Sequence, residues 1–206
     1  MKKLLIIGYT FPEPNTTAAG KRMMQLIDFF KSKNYDITFS STAAISDKSL
    51  DLTSLDISTN EIKLNDSSFD VFVKELNPDI VLFDRFLTEE QFGWRVAENC
   101  PKSLRMLDTE DLHFLRKARE KAYTSFENLN LYTDIAKREL ASIFRSDLSL
   151  IISEFEMKLL ENSFNISSDI LHYLPFMVEI PNEEEVKTLP SFEDRNHFIT
   201  VGNFQH

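Results

Sequence analysis

The residues best suited to chemistry follow one short apolar stretch, Leu104 to Leu107. The acid-rich run 108–111 (DTED) comes next, and His113 lies two residues beyond Asp111. An imidazole has an ordinary pKa of about 6.5, which suits proton transfer, and a neighbouring carboxylate can orient the ring and support its charged form. We therefore predict Asp111 and His113 as catalytic residues. The alternative is a structural histidine at the start of a helix, bonded to a backbone carbonyl.

The same acid-rich run raises the question of a metal, because Mg²⁺ and Mn²⁺ prefer carboxylate oxygens. Its spacing is D-x-E rather than D-x-D, and any acid-rich strand end has this composition. The other three histidines, at positions 172, 197 and 206, have no metal-ligand spacing with one another or with Cys100. The sequence therefore predicts no metal site.

Short apolar runs alternate with longer helical patterns and indicate how these residues are positioned. The first run, 3–9 (KLLIIGY), is continuously apolar, as in a central strand that is covered on both faces. Further strands are predicted at 36–41, 79–83, 104–107, 147–152 and 169–174, with a weak one at 57–64. Helices are predicted from Ala18, over 69–76, near 89–99, from His113 to about Arg145 with a break near 128–130, and over 154–162.

This alternation predicts an α/β fold, with a Rossmann-like, doubly wound and mostly parallel sheet and helices on both faces. In open sheets of this class, ligands bind outside the carboxyl ends of the strands. Because the strand at 104–107 ends at that edge, Asp111 and His113 are expected to face a cleft.

The loop after the first strand, 11–17 (FPEPNTT), leads into a helix for which Thr16 or Thr17 is the predicted N-cap. Such a junction directs backbone N–H groups and a helix N-terminus toward an anion. We predict Gly20, Lys21 and Arg22 as substrate-binding residues there. The alternative for the two cations is the solvated face of an amphipathic helix. Neither G-x-G-x-x-G nor a P-loop motif occurs, which argues against a dehydrogenase or a P-loop NTPase.

A second basic group lies in the helix that follows His113. Arg116, Lys117, Arg119 and Lys121 are four cations in six residues, opposed only by Glu120. Facing a cleft, they would hold anions, and at the surface they would approach acidic lipid. A solvated helix face is the alternative. We predict Arg116 as a further substrate-binding residue.

The composition bounds the possible partners. The 206 residues include 42% hydrophobic residues and 18 phenylalanines, enough to fill a core. A formal net charge of −10 argues against a nucleic-acid-binding protein, which needs a basic surface. The apolar run near the N-terminus is too short for a signal peptide, and no stretch approaches the length of a membrane span. We expect a cytoplasmic protein, with peripheral association at the inner face of the membrane left open.

The chain is predicted to contain one domain, a linker and the beginning of a second domain. Residues 1–180 carry the strand–helix alternation, and residues 181–195 combine two prolines with an acidic run. Residues 196–206 are strand-like up to Gly202, where the chain is expected to turn. A single strand cannot form a domain, so the remainder of a second domain is expected outside the sequence.

Three segments together resemble bacterial glycosyltransferases of family 4, which have the GT-B fold. They are KLLIIGYTFPEPNTTAAGKRMMQL near the start, LDTEDLHFLRKARE in the middle and FITVGNFQH at the end. The resemblance implies that Gly20 lies near the donor phosphates or the acceptor. It implies that Asp111 and His113 lie at the cleft, with Arg116 one helical turn on. Gly202 and Asn203 would begin the first strand and loop of the donor-binding domain.

The resemblance also implies an activity and its partners. The first Rossmann-like domain would bind mainly the acceptor, and a second domain, packed on the cleft face, would bind a nucleotide-diphosphate-sugar. A sugar would pass to a glycan, lipid or other hydroxyl acceptor, as in cell-envelope polysaccharide biosynthesis, without a cofactor or a required metal. The basic phosphate-binding residues and the E-x7-E motif of the family belong to that second domain, and the sequence ends before them. The alternatives are a non-catalytic module that binds a glycan or a partner, and an unrelated nucleotide-binding enzyme such as a methyltransferase.

Overall fold

Seven parallel strands form one sheet in a computed structural model, which describes residues 1–126, 128–178 and 180–200. The order across the sheet is β3-β2-β1-β4-β5-β6-β7. The strands are β1 (Lys2–Gly8), β2 (Tyr35–Ser41), β3 (Ser58–Glu61), β4 (Ile80–Asp84), β5 (Leu104–Asp108), β6 (Leu148–Ile151) and β7 (Leu171–Tyr173). The predicted Rossmann-like α/β fold is confirmed.

Helices connect the strands, except between β2 and β3, where the connection contains only a 3₁₀ turn. The helices are α1 (Ala18–Ser32), α2 (Ser68–Leu76), α3 (Arg85–Asn99), α4 (His113–Ser125), α5 (Asp134–Arg145), α6 (Glu154–Phe164) and α7 (Glu183–Lys187). Short 3₁₀ turns lie at Leu52–Leu55, Ser168–Ile170 and Phe192–Asp194. Each parallel pair needs such a crossover, which explains why strands and helices alternate along the sequence.

The apolar run of β1 supplies both faces of the sheet. Leu4 and Ile6 belong to one buried cluster, and Leu5 and Ile7 to the other, as expected where successive side chains point to opposite faces. The Leu4 side is covered by α1, whose stripe includes Leu26, Ile27 and Phe30. The other side is covered by α2 to α6. A strand covered twice must be apolar throughout, as the sequence is.

One predicted helix boundary differs from the structure, and one predicted break is confirmed. The helical region predicted from His113 to about Arg145, with a break near 128–130, is two helices, and α5 begins after Thr133, whose hydroxyl accepts the Ala136 N–H. The helix predicted near 89–99 begins earlier, directly at the end of β4. The N-cap of α1 is Thr17, as predicted, with its hydroxyl accepting the Gly20 N–H at 2.9 Å.

The C-terminal part of the described chain is exposed. Within the predicted linker, α7 is capped by Asn182 and Glu185, which accept each other's backbone N–H groups. Residues 196–200 have no regular secondary structure, and residues 201–206 lie outside the described part. The division into domain, linker and second-domain strand therefore stays a prediction.

The glycine at position 20 allows the loop after β1 to lie directly on α1. The carbonyl of Glu13 accepts the N–H groups of Thr16 and Thr17, so the loop folds back on the helix start. A Cβ on Gly20 would lie 2.5 Å from the carbonyl carbon of Glu13 and 2.6 Å from its nitrogen. These are backbone atoms, so a side chain would displace the loop.

This contact makes the effect of Gly20→Ala predictable. Helix propensity alone would stabilise the alanine variant by about 1 kcal/mol. The clash opposes this gain at a cost of about 1–3 kcal/mol, so we expect a net loss of stability in urea unfolding. Ala18→Ser, at an exposed position of the same helix, is the control and should change stability little. A more stable Gly20→Ala protein would contradict this role of the glycine.

Candidate functional site

An open pocket lies where the strand order reverses. The chain leaves β1 toward β2 on one side and returns to β4 on the other, which is the place where open α/β sheets bind ligands. The pocket has a volume of about 250 Å³. We call it the switch-point pocket, and its lining includes Tyr9, Thr17, Gly20, Asp84, Arg85 and Glu110.

Three charged side chains meet at one wall of this pocket. The Nε of Arg85 donates to Oε2 of Glu110 at 2.7 Å and lies 3.6 Å from Oδ1 of Asp84. The other oxygen of Asp84 accepts the Tyr9 N–H at 2.9 Å. The guanidinium also lies over the Tyr9 ring, 5.1 Å from its centroid. The ends of β1, β4 and β5 are thereby joined through polar groups.

Two of these residues have left-handed backbones. Arg85 has φ of 70° and Glu110 has φ of 58°, and neither is glycine. A left-handed residue with a side chain costs roughly 1–2 kcal/mol, and such residues cluster at functional sites. Arg85 follows β4 directly and Glu110 is the second residue after β5, and both line the same pocket. Hydrophobic periodicity has no signal for this feature, so sequence reasoning missed both residues.

One carboxylate of this wall, Glu110, titrates close to neutral pH. Burial raises the pKa of Glu110 to about 7, the neighbouring Asp84 adds to the rise, and Arg85 opposes it. Burial also raises the pKa of Asp84. Its Oδ1 is buried and has no hydrogen-bond partner within the described residues. Glu110 can therefore accept or give up a proton near neutrality, and Asp84 has an unused hydrogen-bonding position.

A buried ion pair lies behind the pocket. The Nε of Arg22 donates to both oxygens of Asp108 at 3.0 Å, and its Nη2 donates to Oδ1 at 2.8 Å. Its Nη1 donates to the carbonyl of Leu174. Arg22 is 1% exposed. It was expected to contact substrate or to be solvated, and the structure instead gives it an internal, structural place.

The predicted catalytic pair is arranged differently from the expectation. Asp111 accepts from Nε of Arg116 at 2.7 Å, and Nη2 of the same arginine lies 3.0 Å from Nδ1 of His113. Because a guanidinium only donates, Nδ1 must accept, and the ring proton lies on Nε2. Burial and then Arg116 lower the pKa of His113. The ring is therefore neutral near pH 7, whereas the sequence suggested support for its charged form.

The start of α4 is already occupied by carboxylates. Glu139 accepts the N–H groups of His113 and Phe114 at 3.0 and 2.7 Å, and Glu156 accepts the N–H of Leu112. Burial raises the pKa of Glu139 to about 7. These bonds satisfy donors that a helix start would otherwise offer to an anion. They hold His113 half-buried, with its ring 5.8 Å from that of Phe86.

The predicted site residues thus fall into separate groups. Gly20 lines the switch-point pocket, while Asp111, His113 and Arg116 form one contact cluster that follows Glu110 in the chain. Lys21 is exposed on α1 and lines another cavity. Gly202 and Asn203 lie outside the described residues. The positions 84, 85 and 110 are the pocket residues that the sequence did not reveal.

Two general features of the described part bear on cofactors and membranes. Among residues 1–126, 128–178 and 180–200, no three His, Cys, Asp or Glu side chains are grouped so that they could hold a metal ion. Over the same ranges, none of the helices combines the length and apolar character needed to cross a bilayer.

Comparison with known proteins identifies the fold. The sequence has no significant match to a protein-family model or to a curated protein. The lipopolysaccharide outer core galactosyltransferase WaaB, in its apo form, matches 89% of this chain and 50% of its own, with a TM-score of 0.55 and 16% identity. Sucrose-phosphate synthase from Thermosynechococcus elongatus matches 85% of this chain and 48% of its own, with a TM-score of 0.52 and 9% identity.

The likeness concerns architecture. At these identities it shows the fold alone, which is one Rossmann-like half of the GT-B fold of glycosyltransferases. The chain spans about half the length of these solved structures.

The arrangement around His113 predicts its titration. We expect a pKa below about 6.5 and a neutral ring protonated on Nε2, measured by ¹⁵N-detected NMR of the imidazole. Arg116→Gln should raise the pKa, because it removes a nearby cation and frees Asp111. Arg119→Gln is the control, because Arg119 lies over the Phe155 ring. A wild-type pKa above the ordinary value would contradict the described contacts.

Proposed function

We propose that this chain is the N-terminal, acceptor-side half of a glycosyltransferase with the GT-B fold. The single observation that carries the proposal is the switch-point pocket, with Asp84, Arg85 and Glu110 at the carboxyl edge of a sheet of that fold. The likeness to one half of two glycosyltransferase structures supports it. The acceptor is a hydroxyl compound, because this wall offers mainly hydrogen-bond acceptors and one shared cation.

Four residues of the pocket have a role in holding a hydroxyl acceptor. The ionised Glu110 accepts a hydrogen bond from one hydroxyl, and Oδ1 of Asp84 takes another. Arg85 fixes both carboxylates, and Tyr9 offers an aromatic surface at the rim. A hydroxyl held by a carboxylate of pKa about 7 can pass its proton as the new bond forms.

His113 and Asp111 have supporting roles in the same proposal. The neutral ring offers Nε2–H as a donor to the acceptor or to the transferred sugar. Asp111 acts through Arg116, which holds the ring at Nδ1. Lys21, Gly202 and Asn203 complete the proposed set of substrate-binding residues, with Gly20 at the loop contact.

The activity of the whole protein is part of the proposal. A second domain would bind a nucleotide-diphosphate-sugar, and preorganised donors would stabilise the leaving diphosphate while the closed cleft excludes water. We assign the protein to the cytoplasm, to family 4, and to the making of cell-envelope polysaccharide. We propose that the reaction needs no metal.

A non-catalytic glycan-binding module is the second candidate. It would use the same switch-point pocket, whose lining residues run from Tyr9 to Glu110. Such a module would bind a glycan and leave a nucleotide-sugar unchanged. A methyltransferase, in contrast, would bind S-adenosylmethionine.

Binding by the chain itself tests the proposal. A glycan array should identify a glycan that binds the chain. The affinity of the chain for that glycan should fall about tenfold or more in Glu110→Gln, since the variant loses a charged hydrogen-bond acceptor worth about 1.5–3 kcal/mol. Glu90→Gln is the matched control, because Glu90 lies on α3 in a surface pair with Arg138. Titration calorimetry then measures whether the chain binds UDP-glucose, GDP-mannose or S-adenosylmethionine. Binding of S-adenosylmethionine in the switch-point pocket, with no glycan bound, would overturn the proposal.

The proposal also has a pH signature. Below a pH of about 7, Glu110 is increasingly protonated and loses its strength as an acceptor. Glycan affinity should therefore fall from pH 8 to pH 5.5 in the wild type, and Glu110→Gln should show a much flatter profile. Affinity that rises on acidification would be inconsistent with a carboxylate acceptor.

A further inference from the structure

Carboxylates from two other helices hold the start of α4. The N-cap residue of this helix is Leu112, which has no side-chain oxygen for the free N–H groups of a first turn. Glu139 of α5 accepts the N–H groups of His113 and Phe114 instead. Glu156 of α6 accepts the N–H of Leu112. Side chains that are distant in sequence therefore set the position of the chain between β5 and α4.

The two carboxylates use their oxygens differently. Glu139 commits both oxygens, Oε1 to the N–H of His113 at 3.0 Å and Oε2 to that of Phe114 at 2.7 Å. Glu156 commits only Oε1, and its buried Oε2 has no hydrogen-bond partner among the described residues. A carboxylate accepts at both oxygens, but one oxygen of a carboxylic acid carries the proton and donates. Glu156 can therefore gain a proton and keep its bond, whereas Glu139 must release an N–H group.

The surroundings of Glu139 bring this event close to neutral pH. Its side chain is 1% exposed, and burial raises its pKa to about 7. The two backbone N–H groups oppose the rise, and the carboxylates of Asp111 and Glu156 add to it. The arginines on α4 and α5 near these carboxylates are paired elsewhere, Arg116 with Asp111, Arg138 with Glu90 and Arg145 with Glu89.

We propose that Glu139 is a positioning residue for His113 and the loop 109–112 before it, and that a proton on its carboxylate releases this anchoring. With both oxygens accepting, the first turn of α4 is fixed, and the His113 ring is held beside Phe86 and Arg116. With one oxygen protonated, one N–H of that turn loses its acceptor. The geometry beside the switch-point pocket therefore changes with pH.

The inference deepens the proposed function and rests on it for the role of His113 toward a ligand. Glu110 lies in the same loop, so two carboxylates titrate over one pH range with different consequences. Protonation of Glu110 alters a contact with the ligand, whereas protonation of Glu139 alters the position of the loop. The test uses the chain without a ligand. A chain that binds no glycan would contradict the proposed function and leave the result of this test unchanged.

An NMR titration of the full chain from pH 8.5 to pH 5.5 tests the inference. The carboxyl carbon of Glu139 and the amide protons of His113 and Phe114 should titrate together, with a midpoint of about 7. Both amide protons should move upfield as the pH falls, because their acceptor loses its charge. The common midpoint distinguishes this event from titration of the His113 ring, whose pKa is lowered by burial and by Arg116.

Two carboxyl-to-amide variants separate positioning from general packing. Glu139→Gln has one accepting oxygen and a group that donates, so it resembles the released state. The two amides should no longer titrate near pH 7, and hydrogen exchange of one of them should accelerate about tenfold, through loss of a hydrogen bond to a charged group. Glu156→Gln keeps its accepting oxygen and removes a nearby negative charge, so it should retain the joint titration and lower its midpoint. Asp134→Asn, at an exposed carboxylate of α5, is the control and should titrate like wild type.

Three results would overturn the inference. The first is a Glu139 carboxyl that stays ionised down to pH 5.5. The second is a Glu139 carboxyl that titrates while neither amide follows it. The third is loss of the joint titration in Glu156→Gln as well as in Glu139→Gln, which would indicate loosened packing instead of a specific anchor. Circular dichroism checks the folding of each variant, and the wild type and Glu156→Gln decide the outcome even if Glu139→Gln does not fold.

Discussion

The buried ion pair between Arg22 and Asp108 is the interaction on which the site depends. It joins α1 to the end of β5 across 86 positions of sequence, and the same guanidinium holds the chain after β7 through the Leu174 carbonyl. Burial raises the pKa of Asp108, and the bonds from Arg22 oppose the rise. An ion pair removed from water needs several hydrogen bonds to offset desolvation, and this one has them. It fixes the end of β5, from which the chain continues to Glu110 and Asp111.

The electrostatics of the switch-point pocket depend on how the arginines at this edge pair with the carboxylates. Arg22 is committed to Asp108, so Arg85 faces both Asp84 and Glu110. Burial raises the pKa of Glu110 to about 7, Asp84 adds to the rise, and the cation that both carboxylates share opposes it only in part. Oδ1 of Asp84 has no hydrogen-bond partner in the described chain. Such groups are costly inside a protein unless a ligand uses them. Arg85 and Glu110, both with left-handed backbones, line the switch-point pocket together with Asp84.

Hydrophobic periodicity predicted the strands and the helices, because the burial of apolar side chains sets the spacing of these residues in both. The run of β1 and the stripe of α1 are buried as their spacing requires, and Thr17 caps where its type suggests. Arg22 lies four residues before Leu26 and so falls on the inner face of α1, which was the available signal for its burial. Its partner, Asp108, is distant in sequence, so the local pattern around Arg22 does not indicate the pair. Turn conformations at 85 and 110 are likewise set by tertiary contacts, so the pocket residues could not be read from the pattern.

The most direct test of this account is the free energy of unfolding, measured in urea, for Arg22→Met alone and combined with Asp108→Asn. The account predicts a loss of about 3–5 kcal/mol for the single variant, because a buried carboxylate loses its partner. The double variant should recover most of that loss, since the orphaned charge is gone. Lys137→Met, which breaks an exposed pair with Asp134, should cost about 1 kcal/mol or less. An Arg22→Met protein as stable as Lys137→Met would contradict the account.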